Sequence, residues 1–365
     1  MTDRPFRPFR VAAWLALAVT VGLAELAVPP LVRAEIELPP GFQARVYVTG
    51  EGFGPPDSPR GRGIPTTTTL TVDHTGALYL ARAGRRYSGG EFEYLSCLYR
   101  IPVGGARLTP ATEARFFHGP PLINAQVGGA RDGHTLLVTT FDRDRHVGVL
   151  YRLDGGGTRF LAGGTPGEPT LPPLLVQPEG TAVNAAGHVY VADRDRGLVI
   201  RLDASGQALD NVRVLRPRVL AIDEGDNLWI GADGNAEAPW QAGPGEIWHV
   251  SPSGERRLVL EGPLAQGLAV GPAGLVYVAD RQGGEIFALT ADSATPAAAG
   301  RVGFARFTDG DAPRGIAFVP DNAETRAAGL AGSLFVVVIR SGVFGLNEIV
   351  RISGPFNDPT RLRAR

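Results

Sequence analysis

Short apolar runs separated by Gly-, Asn- and Asp-containing turns fill this chain from about residue 44 onward, and they recur in a fixed order. One run appears six times: CLYRIP (97–102), VLYRLD (149–154), LVIRLD (198–203), EIWHVS (246–251), EIFALT (285–290) and EIVRIS (348–353). A second run precedes it, most clearly as LYLAR (78–82), VYVAD (189–193), LWIGA (228–232) and VYVAD (276–280). Before that comes a small–apolar–Ala–apolar run: GTAVN (180–184), VLAID (219–223), GLAVG (267–271) and GIAFV (315–319). LTVD (70–73) is a looser copy and AQVGGA (125–130) the poorest. A fourth, weaker run closes each unit: ARFF (114–117), TRFLA (158–162), VRVL (212–215), RRLVL (256–260) and ARFT (305–308). Runs rich in β-branched and aromatic residues and bounded by turn residues are strands. Helical periodicity is nearly absent; residues 321–331 (DNAETRAAGLA) read as one short helix inside a loop. Strand units repeated at roughly 40–50 residues mean a propeller, a solenoid or an array.

The two ends fit together. After the last third-type strand the chain runs out in GPFNDPTRLRAR, with no good fourth strand, whereas an orphan strand, ARVYVTG (44–50), precedes the first unit. Set as the missing strand of the last unit, it closes a ring and removes an edge that would otherwise recruit other chains. The expected fold is therefore all-β: a six-bladed propeller of four-stranded blades over residues 35–365, with the N-terminal strand completing the last blade.

In such a blade the first-to-second and third-to-fourth connections share one face, and the other connections share the opposite one. The long connections, 51–66, 82–96, 163–178 and 232–245, all fall on the face where the innermost strands begin; the exception is 320–333. Long loops are where function concentrates, so this face is the expected binding face. The residue heading each innermost strand looks into the channel mouth there: Thr68, Ala125, Glu179, Arg218, Gln266 and Arg314. Two Arg and one Glu suit a ligand bearing carboxylate or hydroxyl groups; the alternative is that these charges satisfy one another across a water-filled channel. The loops add Arg85, Arg86, Tyr87, Glu91, Glu93 and Trp240. Trp240 can stack on a sugar or simply pin its own loop.

Residues 1–34 stand apart. Arg4, Arg7 and Arg10 precede an apolar run (11–24), and Val32-Arg33-Ala34 offers a cleavage site, the layout of a secretory signal; an uncleaved anchor is the alternative. The expected residence is periplasmic or extracellular, with no transmembrane segment after cleavage. Cleavage leaves 32 basic against 35 acidic residues, without the clustered basic face that nucleic acid requires. The chain has no Lys, which rules out Schiff-base and lysine-base chemistry. Cys97 is the single cysteine, so no internal disulfide forms; lying in a repeated strand, it reads as a core residue.

Chemical motifs are sparse. FDRDRHVG (141–148) and ADRDRGLV (192–199) alternate acidic residues, but they lack the further ligands of a calcium loop, so Asp193 and Asp280 read as turn caps. The six histidines show no metal spacing; His118 and His146, on the favoured face, are the ones worth testing for acid–base work.

QPEGTAVNAAGHVYVADRDRGLVIRLD (177–203) and LAQGLAVGPAGLVYVADRQGGEIFALT (264–290) resemble NHL-repeat and gluconolactonase-like propellers over about residues 40–353. Gluconolactonase-type relatives imply a divalent metal held by Glu, Asn and Asp at the strand heads, where this chain has the single carboxylate Glu179. Soluble quinoprotein sugar dehydrogenases are similar in Leu38-Pro39-Pro40-Gly41-Phe42 and in AGSLFVVV (331–338), and imply pyrroloquinoline quinone with a His base and commonly a Lys. The leading expectation is a secreted, monomeric binding propeller, with no cofactor, that takes a small polar molecule, a glycan or a partner protein through Thr68, Glu179, Arg218, Trp240, Gln266 and Arg314. The alternatives are a sugar- or lactone-active enzyme using a metal or the quinone, and an envelope protein whose ring only scaffolds contacts.

Overall fold

The computed structural model describes residues 36–54, 62–65, 67–82, 86–88, 91–93, 95–142, 146–154, 157–164, 174–236, 243–289, 300–341 and 346–363. The described chain is an all-β propeller. Thr67–Val72, Leu78–Arg82, Leu95–Ile101 and Phe117–Ile123 form one antiparallel sheet in chain order. Pro217–Ile222, Leu228–Ala232, Gly245–Val250 and Arg256–Gly262 form another. Ala265–Val270, Val276–Asp280, Glu285–Leu289 and Arg301–Phe307 form a third, with Ile36–Glu37 added at its outer edge. The units beginning at Gln126–Gly129 and Pro178–Val183 pair in the same way and merge into one eight-stranded sheet through a parallel bridge, Gly129 to Ala182. Ala312–Phe318, Leu334–Ile339 and Leu346–Ser353 start a further sheet, which the N-terminal strand extends, and Arg86–Ser88 pairs with Glu91–Glu93 as a separate two-stranded sheet.

That N-terminal strand, Gln43–Gly50, lies antiparallel to Leu346–Ser353, with Ala44 opposite Ile352 and Val46 opposite Val350. Its outer edge is covered by Ala106–Leu108. The orphan strand of the sequence is thus paired with the end of the chain, and its edge is protected against further pairing.

Burial falls from the inside out. Pro178–Val183, Pro217–Ile222 and Ala265–Val270 are buried along their whole length, whereas Ala208–Arg213 is nearly all exposed. The small position of the inner motif has a geometric cause. A Cβ at Gly180 would stand 2.5 Å from the Arg218 carbonyl oxygen, and one at Gly267 would stand 2.6 Å from that of Arg314. Neighbouring inner strands approach too closely for a side chain there. Apolar clusters fill the space between adjacent sheets, as where Tyr277, Phe304, Ile316 and Val336 pack together.

Two local expectations shift. Residues 114–117, expected as a strand, are mostly a 3-10 turn, Glu113–Phe116, and the outer strand begins at Phe117. Phe117–Ile123 contains two prolines, which it tolerates as an outermost strand with an irregularity between His118 and Leu122. The fourth strand of the third unit is Ala208–Arg213, earlier than 212–215. The short helix occurs as Ala323–Ala327, capped reciprocally by Asn322 and Thr325. Among the described residues no helix is long and apolar enough to cross a membrane.

Candidate functional site

Each inner strand starts beside the turn that joins the second and third strands of a unit, so charged residues at both places meet. Glu179 and Arg218 do meet. Arg218 Nη1 donates to Glu179 Oε2 at 2.6 Å. Its Nε donates to Asp233 Oδ1 at 2.8 Å, and Nη2 donates to Oδ2 of the same carboxylate, a bidentate fork. Arg194 Nε donates to Asp233 Oδ2 at 3.0 Å, and Gln177 Nε2 to Glu179 Oε1 at 2.8 Å. All five side chains are buried. Burial pulls the Arg218 guanidinium down, but Glu179 and Asp233 carry it above its ordinary value. Two arginines and two carboxylates balance, so the charges of Glu179 and Arg218 are largely spent on each other and on Asp233.

The other predicted residues are placed differently. Thr68 Oγ1 reaches the carbonyls of Ala81 and Ala125, each at 3.3 Å. Arg314, half-buried, donates from Nη1 to the Thr67 carbonyl at 3.1 Å. Gln266 is buried, and its Nε2 has no hydrogen-bond partner. Trp240 lies outside the described residues, as do 55–61, 165–173 and 237–242 of the long loops.

One residue that sequence reasoning missed is Arg281. It opens the turn after Asp280 and is half-buried, and among the described residues it has neither a hydrogen-bond nor an ion-pair partner. Burial, and then the neighbouring charge of Arg218, hold its guanidinium below the ordinary value. Asp233 and Arg194 were missed as well. The signal was the recurring Ala-Asp at the end of the second strand (Ala192-Asp193, Ala232-Asp233, Ala279-Asp280), twice followed by Arg. Asp193 reaches beyond the turn it was expected to cap: its carboxylate accepts from the Val176 and Gln177 amides at 2.8 and 3.0 Å, fixing the entry to an inner strand.

The histidines stand apart from this cluster. His118 packs edge-on against Tyr79, with ring centroids 5.3 Å apart, and burial followed by Arg100 holds its pKa down. His146 takes a left-handed turn conformation, φ 52°. Among the described residues no group of His, Cys, Asp and Glu converges as a metal site.

Below the strand heads the inner strands enclose a well of about 530 Å³. Its lining begins at Gln266, Gly180 and Gly315 and ends at Arg131, Glu224, Pro272 and Asn322, in the connections of the opposite face. Glu179 and Arg218 are not part of that lining; they stand past its Gln266 end.

The fold is that of a β-propeller, and one stretch of the chain carries a recognisable repeat. Residues 175–202 match the family described as NHL repeat. Among solved structures, the pyrroloquinoline-quinone-bound aldose sugar dehydrogenase of Streptomyces coelicolor superposes with a TM-score of 0.54 at 15% identity, over 87% of this chain and 99% of that one. Virginiamycin B lyase of Staphylococcus aureus gives 0.46 at 12% identity, over 86% and 99%. No protein of curated function matches the sequence.

Proposed function

We propose that this chain is a secreted, six-bladed binding propeller that takes a small acidic ligand on its long-loop face, at Arg281. One observation carries the reading: a half-buried guanidinium without a counter-ion among the described residues stands beside a cluster whose own charges balance. Buried cations are ordinarily paired, and a carboxylate or phosphate is the natural complement of an arginine fork. Gln266, and beyond it Arg314 and Thr68, are the described strand-head groups available to shape the rest of a ligand.

The six-blade count is supported by treating the eight-stranded sheet as two units and by the circuit of inner strands, in which Ala312–Phe318 contacts both Ala265–Val270 and Thr67–Val72. Secretion is supported by the charged and apolar start of the sequence, and N-terminal sequencing of the mature protein tests it.

Titration calorimetry with small mono- and dicarboxylates and sugar phosphates tests the ligand class. At least one is expected to bind, with Arg281→Ala lowering its affinity about tenfold or more, as expected for a charged hydrogen bond, and Arg281→Lys recovering part of it. If no acid binds, or the Ala variant binds like the wild type, the reading is wrong.

A second reading, oxidation of a sugar, draws on the fold likeness to aldose sugar dehydrogenase. The lactonase-type metal does not fit the strand heads, because both oxygens of Glu179 are already engaged. For the quinone, Arg281 and the Gln266 amide are the groups that would face its carboxylates. Dye reduction with aldoses after addition of pyrroloquinoline quinone decides this reading.

A further inference from the structure

The well is the larger unexplained feature, and its walls specify an occupant. An inner strand hydrogen-bonds along one edge to the second strand of its own sheet, as Thr181, Ala182 and Val183 do with Val191, Tyr190 and Val189, and the other edge of this strand is met only at the single Gly129–Ala182 bridge. The Pro217–Ile222 and Ala265–Val270 strands are paired in the same one-sided way. Their other edges border the well and carry amides and carbonyls, groups that are nearly always hydrogen-bonded to something in a folded protein. Two side chains in the wall share this condition. Thr181 Oγ1 and Gln266 Nε2 have no hydrogen-bond partner, although the residues are only 7% and 4% exposed. A buried polar group left unpaired is costly.

Among the described residues the deep wall carries no formal charge; the titratable residues of the lining, Arg131, Asp132, His134, Glu224 and Asp321, are all at the mouth. Arg131 and Glu224 stand 3.4 Å apart there, and Asp321 is held by Arg326. An ion would lose its hydration on entering without gaining a counter-charge. A hydrocarbon would leave every edge amide unmet. The volume falls within the ~300–1,000 Å³ typical of small-molecule sites.

We infer that the well binds a small neutral polyhydroxy compound, of sugar or cyclitol size, which enters from the face opposite Arg281 and is held by Thr181, Gln266 and the free strand edges. This site meets the head-face site at Gln266, which borders both, but it lies on the other side of that residue from Arg281 and uses different chemistry.

Titration calorimetry of the full chain with D-glucose and with myo-inositol tests the inference. At least one is expected to saturate at one equivalent. Thr181→Val and Gln266→Leu should each weaken it about tenfold, the scale of a lost hydrogen bond to a buried partner. Thr181→Val should not lower the Tm, since the hydroxyl has no partner in the unliganded protein. Arg281→Ala should leave polyol binding unchanged. The inference is overturned if neither compound binds in the millimolar range, if both variants bind like the wild type, or if crystals soaked in glucose show only a chain of waters in the well. Loss of acid binding alone would sink the head-face reading and leave this one standing.

Discussion

Arg218 lies between Glu179 and Asp233, and removing it leaves two buried carboxylates with only Arg194 and Gln177 to answer them. Arg218→Met is therefore expected to cost about 3–5 kcal/mol in urea unfolding, the scale for breaking a buried pair from one side. Arg281→Ala, which breaks no pair, should cost less than about 1 kcal/mol. If both variants unfold alike, the cluster is not structural. Cys97 is a second residue with a clear expectation. Burial pushes its thiol up to about 11, with Arg82 pulling it back and Glu113 adding to the rise. At pH 8 only about one thiol in a thousand is then ionised. Labelling of native protein by a disulfide reagent should run about a hundredfold slower than labelling of the unfolded chain; equal rates would contradict the burial. At this scale the sequence indicated Glu179 and Arg218 by register, and Cys97 by its place in a repeat. It did not indicate Asp233, because a residue that ends one strand and pairs with the head of another is visible only once the neighbouring strands are side by side.

The repeated turns do the work of holding each hairpin in register. Asp223 accepts from the Gly225 and Asn227 amides at 2.9 and 3.0 Å and from Trp229 Nε1 at 2.9 Å. Asp73 does the same for Thr75 and Ala77, and Asn184 for His188. Such local bonds fix a tight connection between the two innermost strands. Asp223→Ala is expected to destabilise the protein by about 1–3 kcal/mol, since three donors lose one acceptor, and Asp223→Asn by less; denaturant titration measures both. Inner strands were legible because close backbone approach demands Gly at one position and burial demands apolar residues at the rest. Outer strands were legible only in part: TRFLA, RRLVL and ARFT fall in or overlap Gly157–Gly163, Arg256–Gly262 and Arg301–Phe307, whereas two others were misplaced. Ala208–Arg213 faces water on nearly all its residues and so carries no apolar alternation, and Phe117–Ile123 contains two prolines that an interior strand could not accept.

For the molecule as a whole, the junction between Gln43–Gly50 and Leu346–Ser353 is what joins one end of the chain to the other. A chain lacking residues 36–50 would expose the Leu346–Ser353 edge, with its buried Val350 and Ile352. Size-exclusion chromatography should show it aggregating or self-associating, with loss of the single cooperative thermal transition; a monomer melting like the wild type would mean that the closure contributes nothing. The closure was readable from a surplus strand at one end and a deficit at the other. The well was not, because strand edges build it and edges leave no mark in the order of side chains.

Thr49 and Glu348 hydrogen-bond across 299 positions of chain. At the ~5–20 residues per second of synthesis, the first strand leaves the ribosome roughly 15–60 s before its partner has been made. Throughout that interval a segment rich in valine and tyrosine waits unclaimed, and any sister polypeptide that has just finished its own last strand presents the same complement. Translation from crowded polysomes therefore favours exchange of this segment between nascent copies, and slow, sparse expression favours the self-contained monomer.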